Sequence, residues 1–100
     1  MSEQKERPVI RRALRFTGNV QGVGFRFRAI HAANAVGATG WVRNERDGRV
    51  SMELQGTEEQ IDWVLEALER GRHIHVTDIE VRSLPVAPEE RAFVTRDDRW

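Results

Sequence analysis

One hundred residues, 39% hydrophobic and 32% charged, suit a single domain with one core and are too apolar for intrinsic disorder. The absence of cysteine excludes disulfides and thiolate metal sites, and sixteen basic residues balance sixteen acidic ones, so no net field points to nucleic acid or an anionic membrane surface. No run of about 18 apolar residues marks a membrane span, and the opening MSEQKERP has no apolar stretch to act as a leader, so a cytoplasmic protein is the default expectation.

Taken in chain order, residues 10–17 alternate, with Ile10, Leu14 and Phe16 on one parity, as in a half-buried strand. A glycine-studded loop, 18–24, follows. Phe25, Ala29, Ala32, Ala33 and Val36 then recur at helical spacing, and Gly37 sits where a helix end commonly takes a left-handed residue. Residues 39–44 and 49–55 read as two strands joined through Asp47-Gly48, a hairpin signal. Thr57 with Gln60 predicts a capping box, Ile61, Val64, Leu65 and Leu68 an apolar helical stripe, and Gly71 the end of that helix. Residues 76–82 predict a fourth strand, broken by Pro85 and Pro88, and residues 93–95 a short extra strand at a sheet edge. The order β-α-β-β-α-β predicts a ferredoxin-like α+β sandwich, two helices on one face of an antiparallel sheet. The domain is expected over 10–96, between a polar N-terminal extension, 1–9, and a tail, 97–100.

The loop carries the chemistry. Gly18-Asn19-Val20-Gln21-Gly22-Val23-Gly24 joins a strand to a helix that opens with Phe25-Arg26. Backbone N–H groups can converge there without Cβ obstruction, and the helix N-terminus adds partial positive charge, which together cradle a tetrahedral oxyanion. Arg26 offers a planar fork matched to two phosphate oxygens, a geometry lysine lacks. The spacing fits neither a nucleoside-triphosphate loop nor a dinucleotide fingerprint. The plain alternative is a glycine-rich turn beside a solvated arginine. Asn44 shares parity with Val42 and is expected to face the helix layer at its strand's end, where its amide can orient a water; the alternative is a turn-forming Asn before Glu45-Arg46-Asp47-Gly48.

Residues 18–26 resemble the first signature of the acylphosphatase family, G-x-V-Q-G-V-x-F-R. Gly40-Trp41-Val42-Arg43-Asn44 with Asp47-Gly48-Arg49-Val50 is similar to the second, G-W-V-x-N-x-x-D-G-x-V. The resemblance spans about residues 10–96 and implies the ferredoxin-like fold already read from the pattern. It also implies that the loop amides of Val20, Gln21, Gly22, Val23 and Gly24 bind phosphate together with Arg26. Asn44 would position the attacking water. The implied activity is hydrolysis of small-molecule acyl phosphates to a carboxylate and inorganic phosphate, without metal or cofactor. A carboxylate leaves readily, so the reaction needs charge stabilisation and a placed nucleophile more than a general acid, and a substrate phosphate oxygen can take the water's proton. The chain departs from relatives at Gly71-Arg72-His73, where Gly-Pro is frequent, and in its two termini.

The remaining conspicuous residues read as structural. His73 and His75 are two ligands at most, His31 has no acidic partner at zinc-motif spacing, Trp41 is expected to pack, and Trp63 lies off the apolar stripe. Glu58 and Glu59 suit a helix N-terminus. Two other functions are weighed: a phosphate-holding module without turnover, and an RNA-binding domain of the same fold. The outward residues Ser51, Glu53 and Gln55 offer no stacking surface, which argues against RNA. A monomer is favoured. No acyl-group pocket is visible in the pattern, so acetyl, carbamoyl, glycolytic and aspartyl phosphates are all compatible.

Overall fold

Parity builds the sheet. The computed structural model describes residues 7–96, and in its first strand, β1 (Val9–Asn19), Leu14 and Phe16 turn inward and are almost wholly buried. They stand opposite Met52 and Val50 of β3 (Val50–Thr57), whose Val50, Met52 and Leu54 continue the same inner face. A second strand, β2 (Thr39–Asn44), pairs with β3, and β4 (His75–Leu84) pairs with β1, all antiparallel. The edge strand β5 (Phe93–Thr95) completes the order β4-β1-β3-β2-β5.

Two helices cover the inner face. The first, α1 (Phe25–Val36), buries Phe25 together with Ala29, Ala32 and Ala33, whose small side chains let it lie close to its neighbours. It ends at Gly37, whose left-handed φ of 77° suits a residue without Cβ. The second, α2 (Glu58–Glu69), begins with the predicted capping box. Thr57 Oγ1 accepts from the Gln60 N–H at 3.1 Å, and Gln60 Oε1 accepts from the Thr57 N–H at 2.7 Å. Gln60 Nε2 also donates to the Val36 carbonyl at 2.7 Å, tying the start of α2 to the end of α1. Ile61, Val64 and Leu68 are buried and Trp63 is half-exposed. Residues 1–6 of the expected N-terminal extension, 1–9, and the expected tail, 97–100, lie outside the described residues.

One sequence expectation is corrected, and one left open is filled in. The four long strands form the expected antiparallel sheet, and β5, whose direction the pattern left open, runs parallel to β2, so the sheet is mixed. β3 and β4 both run opposite to β1, and the chain leaving β4 stays at that end of the sheet: Ala87 meets Gln55 near the end of β3, and Glu90 meets Arg11 near the start of β1. A strand launched from there, beside the start of β2, must run with β2. Gly71 is the correction. The cap of α2 is Arg70 in right-handed conformation, and Gly71 does not have positive φ. A Cβ at Gly71 would lie 2.5 Å from Ile74 Cδ1, so the glycine leaves room for the buried Ile74 and supplies no left-handed cap.

Candidate active site

The segment between β1 and α1 is fixed at both ends by aromatic rings. Phe16 and Phe25 meet edge to face with centroids 4.9 Å apart, and Val20 between them is buried in the core. This anchoring leaves the glycines to shape the exposed turn. Gly22 and Gly24 have φ of 72° and 83°, and no heavy atom lies within 4 Å of where a Cβ would project from either. Their requirement is conformational, and the space above them is open. Gly24 is the N-cap of α1, and the first turn carries no acidic side chain. Its amides and the positive end of the helix dipole therefore face outward uncompensated by a carboxylate of their own helix.

Arg26 stands in that first turn. Asn44 ends β2, shares its inner face with Val42 and is 6% exposed. Val20, Gly22, Gly24, Arg26 and Asn44 line one open cleft of about 440 Å³, within the range typical of small-ligand sites. Its walls are completed by Phe25, Phe27, Ile30 and Thr95. A larger groove of about 720 Å³ along the first half of β4 holds none of the predicted site residues, so size alone does not pick the site.

Two predicted loop residues turn their side chains away from this cleft. Val23 packs partly against the core and lines a neighbouring depression. Gln21 does something the sequence did not suggest. Its Nε2 donates to the Glu45 carbonyl at 2.8 Å and to the Arg49 carbonyl at 2.9 Å. The loop is thereby bonded to the β2–β3 turn, one residue after Asn44. That turn is well determined in itself: the Glu45 N–H donates to the Arg49 carbonyl, and Asp47 accepts from both the backbone N–H and the Nε of Arg49. The Arg49 hydrogen bonds hold the Asp47 carboxyl below its ordinary value. The residues that accept from Gln21 are 24 and 28 positions away, so no local pattern reports the link.

Among the described residues, no group of three or more His, Cys, Asp or Glu side chains is placed to hold a metal ion. His31 instead lies against Phe27, ring centroids 4.3 Å apart.

A glycine-shaped strand–loop–helix turn, with Arg26 and the buried Asn44 on one cleft of a ferredoxin-like sandwich, defines a small two-layer α+β protein. The Acylphosphatase family model matches residues 12–95, and the chain belongs to that family. It is 40% identical over 90 residues to the acylphosphatase of Bifidobacterium longum, with 88% of this chain and 93% of that protein aligned. It is 47% identical over 70 residues to the acylphosphatase of Pseudomonas paraeruginosa, covering 69% and 77% respectively. The crystal structure of acylphosphatase from Bacillus subtilis superimposes with a TM-score of 0.80 at 32% identity, over 87% of this chain and 98% of that one. Full-length HypF in phosphate- and nucleotide-bound form matches with a TM-score of 0.82 over 97% of this chain but 13% of its own, at 24% identity, a likeness of fold alone.

Proposed function

We propose that this acylphosphatase holds the phosphate of its substrate on the amides of Val20, Gln21, Gly22, Val23 and Gly24 and on the fork of Arg26, while Asn44 places the attacking water. The observation that carries the reading is the convergence of Gly22, Gly24, Arg26 and Asn44 on one cleft. The water oxygen attacks phosphorus, the bond from phosphorus to the acyl oxygen breaks, and the acyl group leaves as a carboxylate with the bonding electrons. One water proton passes to a phosphate oxygen of the substrate, and the product is inorganic phosphate. Charge on the equatorial oxygens is met by donors already in place, which is the largest catalytic contribution a site of this kind makes. The chemistry calls for no metal or cofactor. The reading takes residues 10–96 as the catalytic domain of a cytoplasmic monomer with small-molecule substrates and no nucleic-acid or membrane partner. No helix among the described residues is long and apolar enough to cross a membrane.

The test is hydrolysis of acetyl and benzoyl phosphate by the full chain, beside Arg26→Ala and Asn44→Ala. Arg26→Ala should weaken competitive inhibition by phosphate and nearly abolish turnover, and Arg26→Lys should rescue little. Asn44→Ala should lower kcat by about 10²–10³-fold with phosphate inhibition largely kept, the pattern of a lost transition-state contact. A folded wild-type chain that binds phosphate and turns over neither substrate would support a phosphate-holding module instead.

A further inference from the structure

Among the described residues, the polar side chains that line the cleft are Arg26, Asn44 and Thr95. The first two have roles in the reading above, and the third has none. The sheet brings Thr95 there. In the parallel pairing of β5 with β2 it stands opposite Val42, so it shares the inner face on which Val42 and Asn44 lie. Val94 and Arg96 take the outer face, where the Arg96 guanidinium lies over the Trp41 ring at 4.6 Å. The backbone is held on both sides of Thr95. The Gly40 N–H donates to the Ala92 carbonyl at 3.1 Å, and the Arg96 N–H donates to the Val42 carbonyl at 2.9 Å.

Folding makes no use of the hydroxyl. Thr57 uses its own to cap α2, and Thr77 donates to the Thr17 carbonyl. Among the described residues no group bonds Thr95 Oγ1, and the residue is exposed. Valine would serve the strand as well. Distance then names an occupant. Paired strands lie about 4.8 Å apart and residues two apart on a strand about 6.6 Å, so the Cα atoms of Thr95 and Asn44 are diagonal neighbours roughly 8 Å apart. Two side chains this short leave room for a water between them, within hydrogen-bond reach of both.

We propose that Thr95 is a second hydrogen-bonding contact to the attacking water, opposite the Asn44 amide. This rests on Asn44 placing that water, as above. The water has two hydrogens and two lone pairs. One hydrogen goes to a phosphate oxygen of the substrate and the other to Asn44 Oδ1. One lone pair attacks phosphorus, and the remaining one accepts from the Thr95 hydroxyl. A water held this way keeps one orientation, which is the gain of a positioned nucleophile.

The experiment measures kcat, KM and phosphate inhibition on acetyl phosphate for the wild type, Thr95→Val, Thr95→Ser, Asn44→Ala and the Asn44→Ala/Thr95→Val double variant. Thr95→Val keeps the branched shape and loses the hydroxyl. It should lower kcat roughly 3- to 10-fold, the effect of one neutral hydrogen bond, and change phosphate inhibition less than about 2-fold. Thr95→Ser should stay within about 2-fold of the wild type, because it keeps the donor. With Asn44 already gone, removing the hydroxyl should lower kcat less than about 2-fold further, since the two groups share one water. Neither Thr95 variant removes core volume, so both should fold, and thermal melting checks this. An unchanged kcat in folded Thr95→Val overturns the proposal. So do a loss of phosphate inhibition that matches the loss of kcat, and full additivity of the two substitutions. Those results leave the role of Asn44 standing. Normal turnover by Asn44→Ala overturns both.

Discussion

Gln21 joins two segments of the cleft region through its side-chain amide. Both donor hydrogens of its Nε2 go to carbonyls of the β2–β3 turn, so the 18–24 loop is tied to the strand end that carries Asn44. Gln21→Ala leaves those two carbonyls without this donor and frees the turn to drift. Misplacement by about 1 Å can cost on the order of 10²-fold in rate. We expect Gln21→Ala to lower kcat about 10- to 100-fold while phosphate inhibition changes less than about 3-fold, since the dihedral angles of Gly22 and Gly24 shape the cradle. Gln21→Glu should fail likewise, because a carboxylate cannot donate to a carbonyl. Parallel loss of phosphate affinity and kcat would show that Gln21 holds the cradle and not Asn44's end of the cleft. Gly22 makes a second case. The space above it is open, so Gly22→Val should cost about 1–2 kcal/mol of stability through left-handed strain and weaken phosphate inhibition by more than that strain explains. Titration of phosphate against the folded variant measures it. The sequence pointed to Arg26 through its place after the glycines, and the parity of Asn44 with Val42 put it on the inner face, where it is buried, although by pattern alone a turn-forming role fitted it better. The sequence announced Gln21 only as main chain, because its side-chain partners come from another hairpin.

The least legible element was β5. Pro85 and Pro88 mark a break and residues 93–95 a short strand, but its direction is set by side chains far away in sequence. Arg11, 6% exposed on the outer face of β1, donates to Glu53 Oε1 at 2.9 and 3.0 Å and to Gln55 Oε1 at 3.0 Å. It also grips both oxygens of Glu90, at 2.7 and 3.1 Å. Gln55 returns two bonds to the backbone of Ala87. The β4–β5 connection is thus pinned at the end of the sheet, and β5 is delivered beside β2 with Thr95 at the cleft. Gln55, expected as an outward strand residue, is buried for the same reason. Burial raises the Glu90 pKa, but hydrogen bonding and charge from Arg11 outweigh it, and the carboxyl sits below its ordinary value. A group with a depressed folded pKa contributes stability above its unfolded value, near 4.3, and loses that contribution as pH falls through the folded value. Glu90→Gln should therefore cost about 1–3 kcal/mol at pH 7, and the gap to the wild type should close as pH drops below about 4. Urea melts across pH measure it, and a gap that persists unchanged at low pH would refute the assignment.

At the scale of the molecule, the fold was legible because independent local signals agree. Parity in β1 and β3, the capping box at Thr57, the left-handed Gly37 and the Asp47-Gly48 turn all fit one two-layer arrangement. The misread role of Gly71 and the unread sense of β5 fall where close packing or distant ion pairs override local pattern. That same agreement makes the domain a good reporter of its own ligand. Anything that binds the folded chain and not the unfolded one stabilises it by RT ln(1 + [L]/Kd). Phosphate at ten times its Kd should contribute about 1.4 kcal/mol, which for a domain of this size raises Tm by roughly 6–11 °C. Phosphate also stabilises proteins generally by exclusion from their surface, and that part needs no site. Arg26→Ala separates the two contributions, because it should retain the general rise and lose the saturable one. If the cradle works through amides and guanidinium alone, prolonged treatment with EDTA should leave both the saturable rise and the rate of acyl phosphate hydrolysis unchanged. A saturable shift that vanishes with EDTA and returns with Mg²⁺ would mean that a metal ion completes the site.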